Sequence, residues 1–183
     1  MRLFVAIGLA ASVVDTVRAV RDRFAAPDDG LRWSQEESWH VTLQFLGATD
    51  DAQTACVMQQ LSAVRSAAVP VRIAGLDFFE RAGVFHARVE LTAELLALQQ
   101  KVTAATRACG FVAEARAYSP HITLARVKGR GNAKALGPLK AAVERARVRL
   151  AAEFVANEFR LYESVPGPDG SRYEVRARFE LSS

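Results

Sequence analysis

His40-Val41-Thr42-Leu43 and His121-Ile122-Thr123-Leu124 are almost the same tetrapeptide, one in each half of the chain. The chain holds only three histidines, and two of them stand here. Polar and aliphatic residues alternate in both copies, which is the period of a strand with one buried face. His40 and Thr42 then share one face, with Val41 and Leu43 behind them in a core. His121 and Thr123 repeat the arrangement over Ile122 and Leu124. Two such strands facing each other place two imidazoles and two hydroxyls around one small volume.

That set of groups suits a phosphodiester. An imidazole has an unperturbed pKa of about 6.5, so neutral and charged forms are both accessible near neutral pH. One neutral histidine can take a proton from an attacking water, while a protonated one gives a proton to the departing alkoxide. Threonine hydroxyls can donate to the non-bridging oxygens, where charge builds in the transition state. A single His-x-Thr would read as a packed histidine beside a good strand former; the duplication separates the two readings. A zinc site would need a third or fourth ligand at matching spacing, and none is tied to these motifs, so no metal or cofactor is expected. The third histidine, His86, lies in Gly83-Val84-Phe85-His86-Ala87-Arg88 with no threonine two residues on, and reads as structural or merely near the cleft. No serine or cysteine sits in an elbow-like motif that would make it a nucleophile.

Outward from the motifs, strands and helices alternate. Arg2 to Ile7 reads as a strand. Ser12 to Ala26 reads as a helix with a box-like N-cap from Ser12 and Asp15, ended by Pro27-Asp28-Asp29-Gly30. Trp39 to Leu46 is a strand closed by Gly47. Asp50 caps a helix to about Ala67. Val69 to Phe79 and Val84 to Leu91 are strands joined by a turn around Arg81 to Gly83. Thr92, with Glu94 and Leu95, opens a helix that stops at Cys109-Gly110. Pro120 introduces the strand His121 to Val127. Gly129 to Gly131 is a loop, Ala133 to Ala146 a helix, and Arg147 to Glu163 one or two strands. Pro166-Gly167-Pro168-Asp169-Gly170 has the composition of a hairpin turn, and Tyr173 to Leu181 is a last alternating strand. No linker interrupts this order, so residues 1–183 read as one domain.

The composition is that of an ordinary globular protein: half of the 183 residues are hydrophobic and about a quarter charged. The net charge is +4 with a pI near 9.4, and the basic residues are mostly arginine. Arginine forks match phosphate geometry, which makes a nucleic-acid or nucleotide partner plausible, although so mild an excess argues little by itself. No apolar run reaches the roughly 18 residues of a membrane span. The apolar stretch Leu3 to Val14 reads as a strand and a helix start rather than a signal peptide, with one arginine before it and no clear cleavage site. Cys56 and Cys109 form no CxxC and sit in helical, alanine-rich stretches; they read as small buried residues in a reducing compartment. A cytoplasmic location is expected.

The twin motif and its surroundings resemble the two-histidine phosphoesterases, and within them the bacterial and archaeal RNA 2',3'-cyclic phosphodiesterases, also called 2'-5' RNA ligases. Four blocks carry the resemblance in order: Arg2-Leu3-Phe4-Val5-Ala6-Ile7; Arg32-Trp33 with Trp39-His40-Val41-Thr42-Leu43-Gln44-Phe45-Leu46-Gly47; Arg116-Ala117-Tyr118-Ser119-Pro120-His121-Ile122-Thr123-Leu124-Ala125-Arg126; and Leu161-Tyr162-Glu163-Ser164 with Gly170 and Tyr173. The resemblance implies a bilobal α+β fold, with two antiparallel sheets related by pseudo-twofold symmetry, a central cleft between them and helices outside. It implies hydrolysis of RNA 2',3'-cyclic phosphate ends, tRNA fragments among them, to 2'-phosphomonoesters by a monomer, with weak reversible 2'-5' ligation in some members. By position, His40 and His121 become the acid–base pair, Thr42 and Thr123 the phosphate donors, and Arg126 a phosphate ligand. The family's direction of proton flow makes His121 the base and His40 the acid. Arg126 should point away from His121 on a regular strand, so a bulge or strand end at Ala125 is required. Ser38 stands where the family often has Asn, Tyr118 where Phe is common, and Ala10-Ala11 near a usual Pro. Phe4, Phe45 and Tyr118 are candidates to stack on a base, with core packing as their competing use. Three other readings remain open: a cyclic phosphodiesterase acting on small nucleotides or ADP-ribose cyclic phosphate, a non-catalytic RNA-binding module, and a structural zinc protein.

Overall fold

The computed structural model describes residues 1–129, 133–167 and 170–182. Nine strands and four helices are formed among them: β1 (Arg2–Gly8), α1 (Ala11–Phe24), β2 (Leu31–Trp33), β3 (His40–Ala48), α2 (Asp51–Ser62), β4 (Val69–Phe79), β5 (Val84–Val89), α3 (Ala93–Arg107), β6 (His121–Val127), α4 (Leu136–Ala146), β7 (Ala151–Ala156), β8 (Glu158–Gly167) and β9 (Gly170–Glu180). The expected Gly129–Gly131 loop and Pro166–Gly170 turn fall partly on residues 130–131 and 168–169, outside the described residues.

The strands make two antiparallel sheets, one of four strands in the order β3-β1-β8-β9 and one of five in the order β2-β6-β5-β4-β7. β1 has neighbours on both sides, and Leu3 to Ile7 are buried without a break, as a strand covered on both faces requires. The two motif strands hold equivalent places. β3 pairs with β1 after a crossing through α1, and β6 pairs with β5 after a crossing through α3. This β–helix–β repeat is the pseudo-twofold relation of the lobes. β3 and β6 then pack against each other where the lobes meet. Helix α1 lies against β7, α3 against β3 and β4, and α2 against α3. A continuous apolar cluster runs from Val5 and Val41 in one sheet to Phe85 and Ile122 in the other.

Local chemistry explains several boundaries. The Asp50 carboxylate accepts the Gln53 N–H and the Gln53 side chain reaches back, a complete capping box for α2. The Thr92 hydroxyl accepts the Leu95 N–H and caps α3. Gly83, with φ of 64°, closes the turn between β4 and β5 in a conformation that costs glycine nothing.

Four expectations need correction. Ser12 does not cap α1; the helix begins one residue earlier after Ala10, which makes no side-chain cap, and Asp15 is bonded by Arg18 instead. Helix α2 stops at Ser62 rather than near Ala67, because Ser66 and Ala68 exchange backbone hydrogen bonds with Ser182. A further strand, β2, forms where a connection was expected. It is set by pairing with β6 and by Asp29, whose carboxylate accepts the Leu31 N–H and the Trp33 indole N–H. Finally, Cys56 and Cys109 are neither separate nor fully buried. They are joined as a disulfide with Cα atoms 5.8 Å apart, 53 residues apart in sequence, linking α2 to the end of α3. The side-by-side packing of those helices brings the thiols together, and spacing along the chain carries no trace of it.

Candidate active site

A cavity of about 370 Å³ opens where the lobes meet, and His40, Thr42, His121, Thr123 and Arg126 all line it. The sequence placed these residues on two separate strands; the fold brings them to one cleft.

Each histidine is anchored in the same way. His40 Nδ1 lies 2.6 Å from the Ser38 carbonyl oxygen, and His121 Nδ1 lies 2.9 Å from that of Ser119. A carbonyl oxygen can only accept, so Nδ1 carries the hydrogen in both rings. The neutral imidazole therefore keeps its basic lone pair on Nε2, and the tautomer is fixed by the residue two positions upstream. The ring of His40 is packed among Phe4, Tyr173 and Tyr162, with centroids 4.8, 5.2 and 6.1 Å away. His121 sits edge-on to Phe79 at 4.9 Å and to His86 at 5.2 Å. Burial pushes the His40 pKa down to about 4, with the Ser38 carbonyl opposing and the charged form of His121 and Arg126 adding to the fall. His121 is lowered for the same leading reason, its Ser119 bond opposing and Arg126 assisting.

The position of Arg126 follows from a bulge. Phe85 pairs with Ala125, but the next residue, His86, pairs with Thr123, so Leu124 has no partner of its own. Leu124 and Ala125 are consecutive buried residues, after which Arg126 comes out on the face shared with Thr123. β3 carries the same irregularity: Val5 pairs with Gln44 and Ala6 with Thr42, leaving Leu43 over. Phe45 thus reaches the cleft at the place equivalent to Arg126, and is 55% exposed. One lobe presents a cation there and the other an aromatic ring.

Of the other aromatic candidates, Phe4 lines the cleft floor but is buried and stacked on Tyr162 at 5.1 Å. Tyr118 does not line the cleft; its hydroxyl donates to the Thr42 carbonyl oxygen at 2.9 Å and so ties the approach to the second motif onto the strand of the first. His86 is buried beneath the site, 4.1 Å from the Phe79 ring, with neither ring nitrogen hydrogen-bonded. Burial lowers its pKa to about 4, with the charged form of His121 acting in the same direction and the Ala87 backbone opposing. Sequence reasoning did not single out Arg2, Arg32 or Tyr173 as site residues, although all three line the cleft and stood inside the quoted blocks. Among the described residues, no group of three or more His, Cys, Asp or Glu gathers into a metal-binding cluster.

Two antiparallel lobes with one His-x-Thr strand from each lining the cleft between them define a two-histidine phosphoesterase. The comparisons agree. The 2'-5' RNA ligase superfamily matches residues 9–167, and the chain belongs to that family. It is 27% identical over 177 residues to the RNA 2',3'-cyclic phosphodiesterase of Aeropyrum pernix, covering 90% of this chain and 97% of that one. It is 30% identical over 133 residues to the protein of the same name from Thermotoga maritima, covering 70% and 71%. The crystal structure of E. coli LigT complexed with 3'-AMP superposes with a TM-score of 0.80 at 21% identity, over 100% of this chain and 98% of that one, which shows a shared fold.

Proposed function

We propose that this protein is an RNA 2',3'-cyclic phosphodiesterase, acting as one two-lobed domain over residues 1–183 without a metal ion. The observation that carries this is the matched pair of imidazoles, each pinned at Nδ1 by a backbone carbonyl, lining one cleft with two threonines and Arg126. The names of the relatives agree with it.

His121 Nε2 takes a proton from water as its oxygen attacks phosphorus. The P–O3' bond breaks, and His40 Nε2–H gives its proton to the leaving 3'-oxygen, so the product is a 2'-phosphomonoester. Thr42 and Thr123 donate to the non-bridging oxygens, and Arg126 neutralises charge on them. Burial makes both rings favour the neutral form, so the acid must gain its proton with the substrate. An anionic phosphate beside an imidazole favours the charged form. Run in reverse with a 2'-phosphate, the same geometry closes the ring; with a 5'-hydroxyl in place of water the cyclic end is ligated 2'-5'. One chain supplies every group, so a monomer suffices. The proposed compartment is the cytoplasm, where RNA fragments such as cleaved tRNA arise; the joined cysteines no longer support that placement.

The test is an oligoribonucleotide ending in 2',3'-cyclic phosphate, incubated with chelator present. A new 2'-phosphate end is expected. A 3'-phosphate product, or no turnover until metal is added, overturns the reading.

A further inference from the structure

The cleft carries more positive charge than the reacting group requires. Arg2, Arg32 and Arg126 line it, and none of its lining residues among those described is Asp or Glu. A 2',3'-cyclic phosphate bears a single negative charge, which Arg126 can answer. Several arginines elsewhere are paired with acids, as Arg18 is with Asp15 and Glu36, Arg72 with Glu90 and Glu153, and Arg160 and Arg178 with Glu158. Among the described residues, neither Arg2 nor Arg32 has such a partner.

Arg32 is the sharper case. It lies on β2 directly across the ladder from Arg126. Residues opposite each other in an antiparallel pair share a face, and like charges at that spacing destabilise the pair. Two arginines held so, with no carboxylate between them among the described residues, call for an anion. The stem of Arg32 is also packed: a β-carbon at Gly170, at the start of β9, would come within 3.2 Å of Arg32 Cδ. Gly170, on the first sheet's β9, therefore lies against this side chain at the cleft. Arg2 stands on β1, two residues from Phe4 and on the same face, at the first lobe's side of the opening.

An RNA that ends in a 2',3'-cyclic phosphate continues only on its 5' side, and each further nucleotide brings one more phosphodiester charge. We propose that Arg32 and Arg2 hold the phosphodiesters on the 5' side of the reacting end, so that the cleft selects an oligonucleotide over a mononucleotide. Arg32, beside Arg126, takes the nearest of them. This rests on the phosphodiesterase reading and adds the two residues that would read chain length.

The experiment compares kcat/KM for a nucleoside 2',3'-cyclic phosphate with that for a trinucleotide ending in the same cyclic nucleotide, across a potassium chloride series. The wild-type protein should favour the trinucleotide by at least about tenfold, the size of one charge-assisted contact. Arg32→Gln and Arg2→Gln should each lower that ratio, Arg32→Gln by about tenfold. Each should also flatten the logarithmic salt dependence for the trinucleotide by roughly 0.7, the value for one lost contact to a single strand. Arg32→Lys, which keeps the charge, should retain most of the preference. A wild type without length preference, or a ratio unchanged in Arg32→Gln, overturns the proposal, and the wild-type measurement stands even if a variant fails to fold. If neither substrate turns over, the phosphodiesterase reading itself fails. Binding of a 3'-phosphorylated trinucleotide, followed by fluorescence anisotropy, then decides the role of Arg32, and equal affinity in wild type and Arg32→Gln counts against it.

Discussion

At the scale of single residues, His40 and His121 are built alike and differ in their surroundings. Each ring is fixed by a carbonyl two residues upstream, but His40 is boxed in by three aromatic rings while His121 meets Phe79 and His86 edge-on. Replacing either imidazole removes one half of the proton shuttle, so His40→Ala and His121→Ala should each lower turnover of a cyclic-phosphate RNA by at least about 10²-fold. Thr42→Ala and Thr123→Ala should cost less, since each removes one hydroxyl donor and leaves the shuttle intact. Single-turnover assays with circular dichroism as a fold control separate the cases; a fully active His121→Ala would rule out the assignment. Burial depresses the pKa of both histidines, that of His40 to about 4. The free protein's acid limb, read from kcat/KM against pH, should therefore lie below the ordinary histidine value, and the limb in kcat, which reports the bound state, should lie higher. Coincident limbs at the ordinary value would contradict the desolvated site.

Elements show which features a sequence can disclose. The strand His121–Val127, the Asp50 and Thr92 caps and the turn at Gly83 were legible because each signal is local: an alternation, a side chain three residues from its acceptor, a residue free of a β-carbon. The pairing of His40 with Thr42 and of His121 with Thr123 was legible for the same reason. The bulge at Leu124 could be inferred only because Arg126 otherwise faces the wrong way, and its twin at Leu43, which turns Phe45 into the cleft, was not foreseen. β2, the early end of α2 and the disulfide depend on partners far along the chain, at Ala125 to Val127, Ser182 and Cys109. Local pattern says nothing about those. The Cys56–Cys109 link closes a long loop between two packed helices without touching the cleft. Reduction, or Cys56→Ser with Cys109→Ser, should lower stability by about 2–4 kcal/mol while kcat/KM stays unchanged. Denaturant unfolding with and without reductant checks the first part. A loss of activity matching the loss of stability would show that the α2–α3 pair helps to hold the motif strands. Tyr118→Phe tests that coupling by another route. It deletes only the hydroxyl donated to Thr42, should cost about 0.5–1.5 kcal/mol, and should lower kcat more than it raises KM if the bond fixes the distance between motifs.

For the whole molecule, the site and its stability are linked through protons. Three histidines gather where the lobes meet, and burial lowers the pKa of each, His40 and His86 to about 4. In the unfolded chain they return to about 6.5. Above that value both states are neutral and the shift has no effect on stability. As pH falls below it, the unfolded chain binds protons that the folded one refuses, so stability declines until the pH passes the folded values near 4. Carboxylates act lower on the scale. Bonds from Arg18 lower Glu36; at Asp29 burial pulls upward, and bonds from Trp33, Leu31 and Ala26 with the charge of Lys128 together bring it below the usual value. Their contribution is present above the unfolded carboxylate range and is lost as pH drops through the folded values. Two successive losses are therefore expected on acidification, histidine first. His86 is the member of the trio best suited to isolate the first, since it is 3% exposed and absent from the cleft wall. Between pH 7.5 and 5, its share of the decline should be about 2 kcal/mol. His86→Phe keeps a ring against Phe79 and has no proton to bind, so its stability should fall with pH more gently than the wild type's by that amount, as read from urea unfolding at each pH. Parallel curves would mean that His86 is protonated inside the fold at pH 5. It would then stand as a buried cation 5.2 Å from the His121 ring.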